Sequence, residues 1–166
     1  MDDVLVRHCG PGDYDAVVRI YNHYIEHSPA TFDVVPYSVG ARAPWFSQFS
    51  EDSPHQLLVA AANDQVLGYC CSTRFKARPA YDISVETTAY VDSGAVGRGL
   101  GKKMYTTLLA RLGGTGVHGA YAGVTLPNDA SVKLHENLGF TKIGNFDEVG
   151  RKFDKYWSVA WFQKRL

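Results

Sequence analysis

Apolar and polar positions along the chain follow two repeats, one near two residues and one near four, in short alternating segments. Val4 to His8 alternates like a strand. Gly10-Pro11-Gly12-Asp13 then supplies a turn, with Asp13 as N-cap of a helix carrying Ala16, Val17, Ile20, Tyr21 and Tyr24 on one face. Ser28-Pro29 ends that helix, because a residue before proline is pushed out of the helical region. Ser38 to Phe49 is a weaker helical pattern in which Trp45, Phe46 and Phe49 pack. Gln56 to Ala62 and Val66 to Thr73, separated by Asn63-Asp64-Gln65, read as a hairpin, with Gly68 marking a close approach of other chain. A further strand covers about Ile83 to Val91.

After a glycine-rich loop, Leu100, Met104, Leu108 and Leu112 recur at fourfold spacing and predict a helix closed by Gly113-Gly114. Val117 to Thr125 reads as a strand, and Pro127-Asn128-Asp129 opens a helix that Gly139 terminates after Leu138. The aromatic-rich runs Phe140 to Phe146 and Tyr156 to Phe162 pair antiparallel, with Asp147 to Asp154 as their connection. The order is βααβββαβαββ. With no linker, repeat or low-complexity segment, it predicts one mixed α/β layer fold spanning residues 1–166 as a single domain.

Composition narrows the partners. A chain of 166 residues, 45% hydrophobic and 13% aromatic, can bury a substantial core. Lys plus Arg and Asp plus Glu number 17 each, so no net field draws the protein to nucleic acid or an anionic membrane, and neither is expected as a partner. Cys9, Cys70 and Cys71 lack metal or redox spacing and read as reduced thiols, the adjacent pair on opposite strand faces. Met1-Asp2-Asp3-Val4 lacks a basic segment before an apolar core, and no apolar run reaches membrane-spanning length; the expected location is the cytoplasm.

Within this frame the stretch from Val91 to Lys103 stands out. A strand ends, Gly97, Gly99 and Gly101 alternate, and a helix begins near Leu100. Glycines free the backbone to bring its N–H groups close to a ligand, and the helix start adds unpaired donors and a positive dipole end, a fit for phosphate. A P-loop would need Gly at Val96 and Ser or Thr at Lys103, and the dinucleotide pattern fails at Lys102 and Met104. A nucleoside triphosphate and NAD are therefore disfavoured. A bare strand-to-helix turn needs no ligand at all, so the loop requires support elsewhere in the chain.

That support comes from Leu126-Pro127-Asn128-Asp129-Ala130-Ser131-Val132-Lys133-Leu134-His135-Glu136-Asn137-Leu138-Gly139-Phe140. With the loop, it resembles the GCN5-related N-acetyltransferases (GNAT). Ile20 to Glu26, Phe75 to Asp82 and Val85 to Val91 are similar to the phosphinothricin and methionine sulfoximine acetyltransferase branch, so the resemblance covers nearly the whole chain. It implies the GNAT fold: a mixed, mostly antiparallel sheet with a splayed strand pair that holds acetyl-CoA, flanked by about four helices. It further implies that backbone N–H groups of Gly97, Arg98, Gly99, Leu100, Gly101 and Lys102 bind the pyrophosphate. Ala89, Tyr90 and Val91 would run beside the pantetheine arm, with the Val91 N–H toward the thioester oxygen, and Asn128 would contact the arm as well as cap its helix. Val96 and Ala95 depart from the usual Gln or Arg and His or Arg.

Acyl transfer to an amine needs that amine neutral, and an α-amino group titrates near pH ~8, so a base assists. On its own Glu86 is a solvated strand charge; the resemblance makes it the base, acting directly or through water. His135 stands where many relatives have Tyr and has three readings: proton donor to the departing sulfur, acceptor from substrate, or packed residue. Phe32, Lys76, Ala77, Arg78, Tyr81, Glu86, Thr87 and Thr88 are the implied acceptor-binding residues, the two cations suiting a small anionic amino acid. Thr87, opposite Glu86 on the strand, also reads as a core-facing hydroxyl. Gly150-Arg151-Lys152-Phe153 departs from a Gly-aromatic-Lys pattern, and Tyr156, Trp157 and Trp161 suit the homodimer surface expected for the family. The scattered histidines give no metal motif: His23 and His27 lack the intervening Glu, and no metal is expected.

The resulting expectation is an acetyl-CoA-dependent N-acetyltransferase of small glutamate-like analogues: phosphinothricin, methionine sulfoximine, methionine sulfone and, further, arsinothricin. The alternatives are acetylation of peptide N-termini or polyamines, and a noncatalytic acyl-CoA-binding sensor.

Overall fold

In the computed structural model, residues 3–166 are described; Met1 and Asp2, part of the N-terminal stretch read above, lie outside them. Within the described residues the elements are β1 (Leu5–His8), α1 (Tyr14–His27), α2 (Val39–Phe46), β2 (Leu57–Ala62), β3 (Gln65–Arg74), β4 (Ser84–Val91), α3 (Leu100–Leu112), β5 (Gly119–Leu126), α4 (Asp129–Asn137), β6 (Thr141–Lys152) and β7 (Lys155–Arg165). Their order matches the expected βααβββαβαββ. They form a seven-stranded sheet, β1-β2-β3-β4-β5-β7-β6, antiparallel throughout except where β4 lies parallel to β5. Parallel neighbours need a crossover, and α3 supplies it.

Alternation sorts the central strands onto two cores. Leu58, Ala60 and Cys70 face α3, packing with Met104, Leu108 and Leu112, while Leu57, Val59 and Cys71 face α1 and α2 with Val17, Ile20, Ile25 and Phe46. Every residue of β2 is buried, as expected for a strand covered on both faces. Cys70 and Cys71 thus point in opposite directions, as their adjacency predicts, and all three cysteines are free. The hairpin turn is Asn63-Asp64, both at positive φ (48° and 62°), the twist that suits a two-residue connection.

Two local expectations are corrected. Asp13 does not cap α1 with its side chain; a 3₁₀ turn, Pro11–Asp13, intervenes. Its carboxylate instead accepts bonds from both Arg7 guanidinium nitrogens, at 2.7 and 2.9 Å, and from the Gly10 N–H at 2.8 Å, buckling β1 to the start of α1. The segment from Asp147 to Lys152 is strand, not connection: β6 runs on to Lys152, and the turn is only Phe153-Asp154. Its irregular register between Phe146 and Gly150, with Glu148 at φ 48°, hides the alternation.

Gly68 is the expected close approach. A Cβ there would lie 2.9 Å from the Tyr90 carbonyl oxygen and 3.3 Å from the Val91 Cα, both backbone, and 3.1 Å from the Met104 methyl. Bare backbone at Gly68 thus lets the end of β4 sit under α3. Gly68→Ala is expected to cost about 1–3 kcal/mol, read as a lower urea midpoint. A midpoint equal to the parent's would mean the strands separate freely there.

Candidate active site

The site begins where two strands part. β4 and β5 pair at Ser84–Gly119, Val85–Ala120 and Glu86–Tyr121, and pairing ends there. β4 continues along β3 to Val91, while β5 continues along β7 to Leu126, leaving a V-shaped gap with Glu86 at its vertex. Because the Asp92 N–H bonds back to Leu67 at 2.8 Å, alternation along the strand turns the Val91 and Ala89 N–H groups into the gap. The Val91 carbonyl accepts a 2.8 Å bond from the Tyr24 hydroxyl of α1.

At the open end of the gap lies the glycine loop. Gly97 and Gly99 adopt positive φ (84° and 74°), with open space where a Cβ would project. Gly99 is the N-cap of α3 and offers no side-chain bond, and the first helical bond runs from the Lys103 N–H to the Gly99 carbonyl. The N–H groups of Leu100, Gly101 and Lys102 therefore carry the positive end of the helix dipole without helical partners. Asp92, at the loop's start, is drawn aside by Arg19 at 2.6 Å and by the Gly94 N–H at 2.9 Å; the Arg19 bond is the main cause of its lowered pKa.

A cavity of about 370 Å³ joins loop and gap, lined among others by Ala89, Tyr90, Val91, Gly97, Gly99, Leu100, Gly101, Lys102, Asn128 and His135. Arg98 is exposed and off the cavity lining, so its side chain contributes no wall. Asn128 caps α4, its Oδ1 accepting from the Ser131 N–H at 3.1 Å, and lines the cavity as well. Free loop donors, unpaired strand donors and absent side chains together fit a pyrophosphate and an extended amide-bearing arm.

A second cavity, about 410 Å³, shares Ala30, Thr88, Tyr90, Gly123 and Thr125 with the first and adds Glu86, Thr31, Phe32 and Trp161. Glu86 is half-buried, and burial raises its pKa against the opposing pull of Lys76. Of the expected acceptor residues, the structure gathers Phe32, Glu86 and Thr88 here. Thr87 is corrected to the opposite face, where it is 3% exposed and donates to the Tyr121 carbonyl at 3.3 Å. Lys76, Ala77, Arg78 and Tyr81 lie on an exposed loop outside this lining, anchored by Phe75 stacked on Tyr121 at 4.6 Å. Tyr156 is exposed, and Trp157 and Trp161 are partly buried; the Trp157 indole donates to the Lys152 carbonyl, and Trp161 lines the cleft.

His135 is buried against Tyr105, Phe140 and Phe162. Its Nδ1 faces the Ser131 carbonyl at 2.7 Å, and a carbonyl only accepts, which assigns the proton to Nδ1. Nε2 then accepts from the Tyr105 hydroxyl at 3.1 Å. Burial lowers the His135 pKa, opposed by the Ser131 bond, and keeps the ring neutral. Tyr105 and Tyr24 both line the cofactor-side cavity and were not foreseen as site residues. Tyr105 sits one residue past Met104, just off the fourfold stripe but within the arc a helix buries, so a full helical wheel would have flagged its hydroxyl.

Comparison with known proteins bears on these cavities. The model of the Acetyltransferase (GNAT) family matches residues 17–140. The chain is 44% identical over 166 residues to a phosphinothricin N-acetyltransferase of Streptomyces coelicolor, covering 99% of this chain and 97% of that protein. It is 29% identical over 161 residues to an L-methionine sulfoximine/L-methionine sulfone acetyltransferase of Salmonella typhimurium, covering 97% and 94%. Its fold is similar to that of a GNAT superfamily phosphinothricin acetyltransferase from Sinorhizobium meliloti solved in complex with AcCoA, with a TM-score of 0.93 and 27% identity over 98% of this chain and 88% of that one. With most of its length matched and a strand gap and glycine loop that fit the cofactor, the chain belongs to the acetyltransferase (GNAT) family and is an acyltransferase that uses acetyl-CoA.

Proposed function

We propose that the chain acetylates the α-amino group of a small glutamate-like amino acid analogue, with phosphinothricin, methionine sulfoximine, methionine sulfone and arsinothricin as acceptors. The carrying observation is Glu86: a half-buried carboxylate with a raised pKa, at the vertex where the acceptor-side cleft opens into the cofactor groove. Acetyl-CoA supplies the acetyl group as a thioester. Glu86 takes the proton that the amine must lose, its raised pKa making it a better base than an ordinary carboxylate. The Val91 N–H is aimed to stabilise negative charge on the thioester oxygen without reorganisation. Leu100, Gly101 and Lys102 N–H groups hold the pyrophosphate. The acceptor class is supported by the activities of the relatives and by Lys76, whose charge acts on Glu86 and complements an acceptor's anionic groups.

The cleft lining itself contains one carboxylate and neither Lys nor Arg among the described residues, which also suits a cationic acceptor such as a polyamine. The reading further includes a homodimer, supported by exposed Ile143, Phe146 and Val149 on β6, and a cytoplasmic location, which suits three free thiols. Thiol release from acetyl-CoA across a panel of amines decides the acceptor. Turnover of phosphinothricin and methionine sulfoximine with little turnover of spermidine or a peptide is expected, and the reverse ranking would overturn the proposal.

Glu86→Gln is expected to lower kcat by roughly 10²–10⁴ while acetyl-CoA affinity, by calorimetry, stays at the parent value. In the parent, the rate should fall as pH drops through the raised Glu86 pKa, since only the carboxylate accepts a proton. An unchanged rate in the variant would remove Glu86 from the chemistry.

In this reading His135 supports Tyr105 and transfers no proton in the reaction, its Nδ1–H being given to the Ser131 carbonyl and its Nε2 accepting from the Tyr105 hydroxyl. A lowered folded pKa means that the unfolded chain binds more protons below about pH 6.5. Stability supported by neutral His135 is therefore complete above that pH and lost as pH falls toward the folded value. His8 and His55, also lowered by burial first, act in the same window. Urea midpoints at about pH 7.5 and about pH 5 should differ less in His135→Gln than in the parent; an equal difference would assign the pH dependence elsewhere.

A further inference from the structure

Lys152 ends β6, and only 5% of it is exposed. A buried ammonium persists only where oxygen atoms replace its water. Its Nζ donates to the Ser28 carbonyl at 2.8 Å, to the Thr31 carbonyl at 2.8 Å and, more loosely, to the Tyr24 carbonyl at 3.4 Å. These are carbonyls of the last turn of α1 and of the loop after it, where the helix dipole is negative. One charge thus ties the β6–β7 hairpin to the 28–33 loop.

The same hairpin touches the same loop a second way. A Cβ on Gly150 would lie 2.2 Å from Cε2 of Phe32, so the Phe32 ring rests on bare strand backbone. From the other side, the Tyr21 hydroxyl lies 2.7 Å from the Thr31 Oγ1 and donates to the Asp33 carboxylate at 2.6 Å, while Arg42 stacks 4.4 Å over the Tyr21 ring. Ala30, Thr31 and Phe32, the residues so held, line the cleft that contains Glu86. The hairpin is itself well defined: Phe153 and Asp154 take positive φ (52° and 56°), and Trp157 bonds the Lys152 carbonyl at 2.8 Å.

We propose that Lys152 and Gly150 are positioning residues that set acceptor specificity: they fix where the Thr31–Phe32 wall stands, and so which amino acid side chain fits beside Glu86. The proposal rests on the assignment of this cleft to the acceptor. Lys152 grips main-chain oxygens, so it sets the height of the wall whatever side chains the loop carries. Gly150 sets the tilt of the one large ring on it. Neither residue lines the cofactor groove, and of the 28–33 loop only Ala30 does, so acetyl-CoA binding should change far less than acceptor binding.

Lys152→Met, Lys152→Arg and Gly150→Ala test this with phosphinothricin and methionine sulfoximine as acceptors. Lys152→Met is expected to raise the acceptor KM roughly tenfold to a hundredfold, the effect of a wall misplaced by about an ångström, with acetyl-CoA affinity within twofold of the parent. Lys152→Arg keeps the donors and should recover part of the loss. Gly150→Ala, which leaves the charge in place, should change the ratio of the two acceptors' kcat/KM by at least about fivefold, and it decides the question if Lys152→Met does not fold. Faster hydrogen exchange over residues 28–33 in Lys152→Met is the accompanying structural readout. An acceptor KM at the parent value in a folded Lys152→Met, an unchanged acceptor ratio in Gly150→Ala, or a parallel loss of acetyl-CoA affinity would overturn the proposal. Failure of the parent to turn over either acceptor would instead count against the assigned function, with the exchange measurement still reporting whether Lys152 holds the loop.

Discussion

β4 and β5 stay hydrogen-bonded for three registers and then separate, and the backbone groups left unpaired by that separation are what the site is built from. Buried N–H and C=O groups need partners. In most sheets the neighbouring strand supplies them; here each strand is held on its outer side, β4 by β3 as far as Val91 and β5 by β7 as far as Leu126. Closing the gap would break one of those ladders. The Val91 carbonyl is satisfied by Tyr24, and the inward N–H groups remain for a ligand that presents oxygen atoms. The placement of α3 follows from the same constraint, because Gly68 lets Met104 and the end of β4 approach closely enough to put the helix start at the mouth of the gap.

The charges divide accordingly. The cradle proposed for the cofactor's phosphates is made of backbone dipoles, so a chain with equal numbers of acidic and basic residues can still carry a local anion site. Exposed Val96 turns its side chain to solvent and leaves those dipoles intact. On the other side of the vertex, a single carboxylate is kept partly from water, and aromatic rings close around it. The two halves meet at Ala30, Thr88, Tyr90, Gly123 and Thr125, and the proposed transfer belongs at that junction.

Much of this was legible because periodicity and turn chemistry are local. The element order, the β2–β3 hairpin, the cap of α4 and the glycine loop all follow from short windows of sequence. Asp13 was misread because its partner Arg7 lies on another element. The extension of β6 was missed because an exposed edge strand with a register shift need not alternate. Glu86 and the cofactor loop were visible through motif spacing, whereas Tyr24 and Tyr105 look like ordinary core aromatics until the fold aims their hydroxyls at the groove. For Lys152 the motif around it was visible but its grip was not, because only tertiary structure supplies its three carbonyls.

The three free cysteines acquire a meaning from the chemistry that the protein carries out. Each turnover liberates a thiol, coenzyme A, whose oxidised forms are disulfides ready to exchange with any nearby thiolate. Burial pushes the thiols of Cys9 and Cys71 up to about 12 and raises that of Cys70 well above its ordinary value, so at neutral pH all three stay protonated and poorly nucleophilic. The protein thus releases a thiol product with no activated sulfur of its own to form a mixed disulfide with that product's oxidised forms.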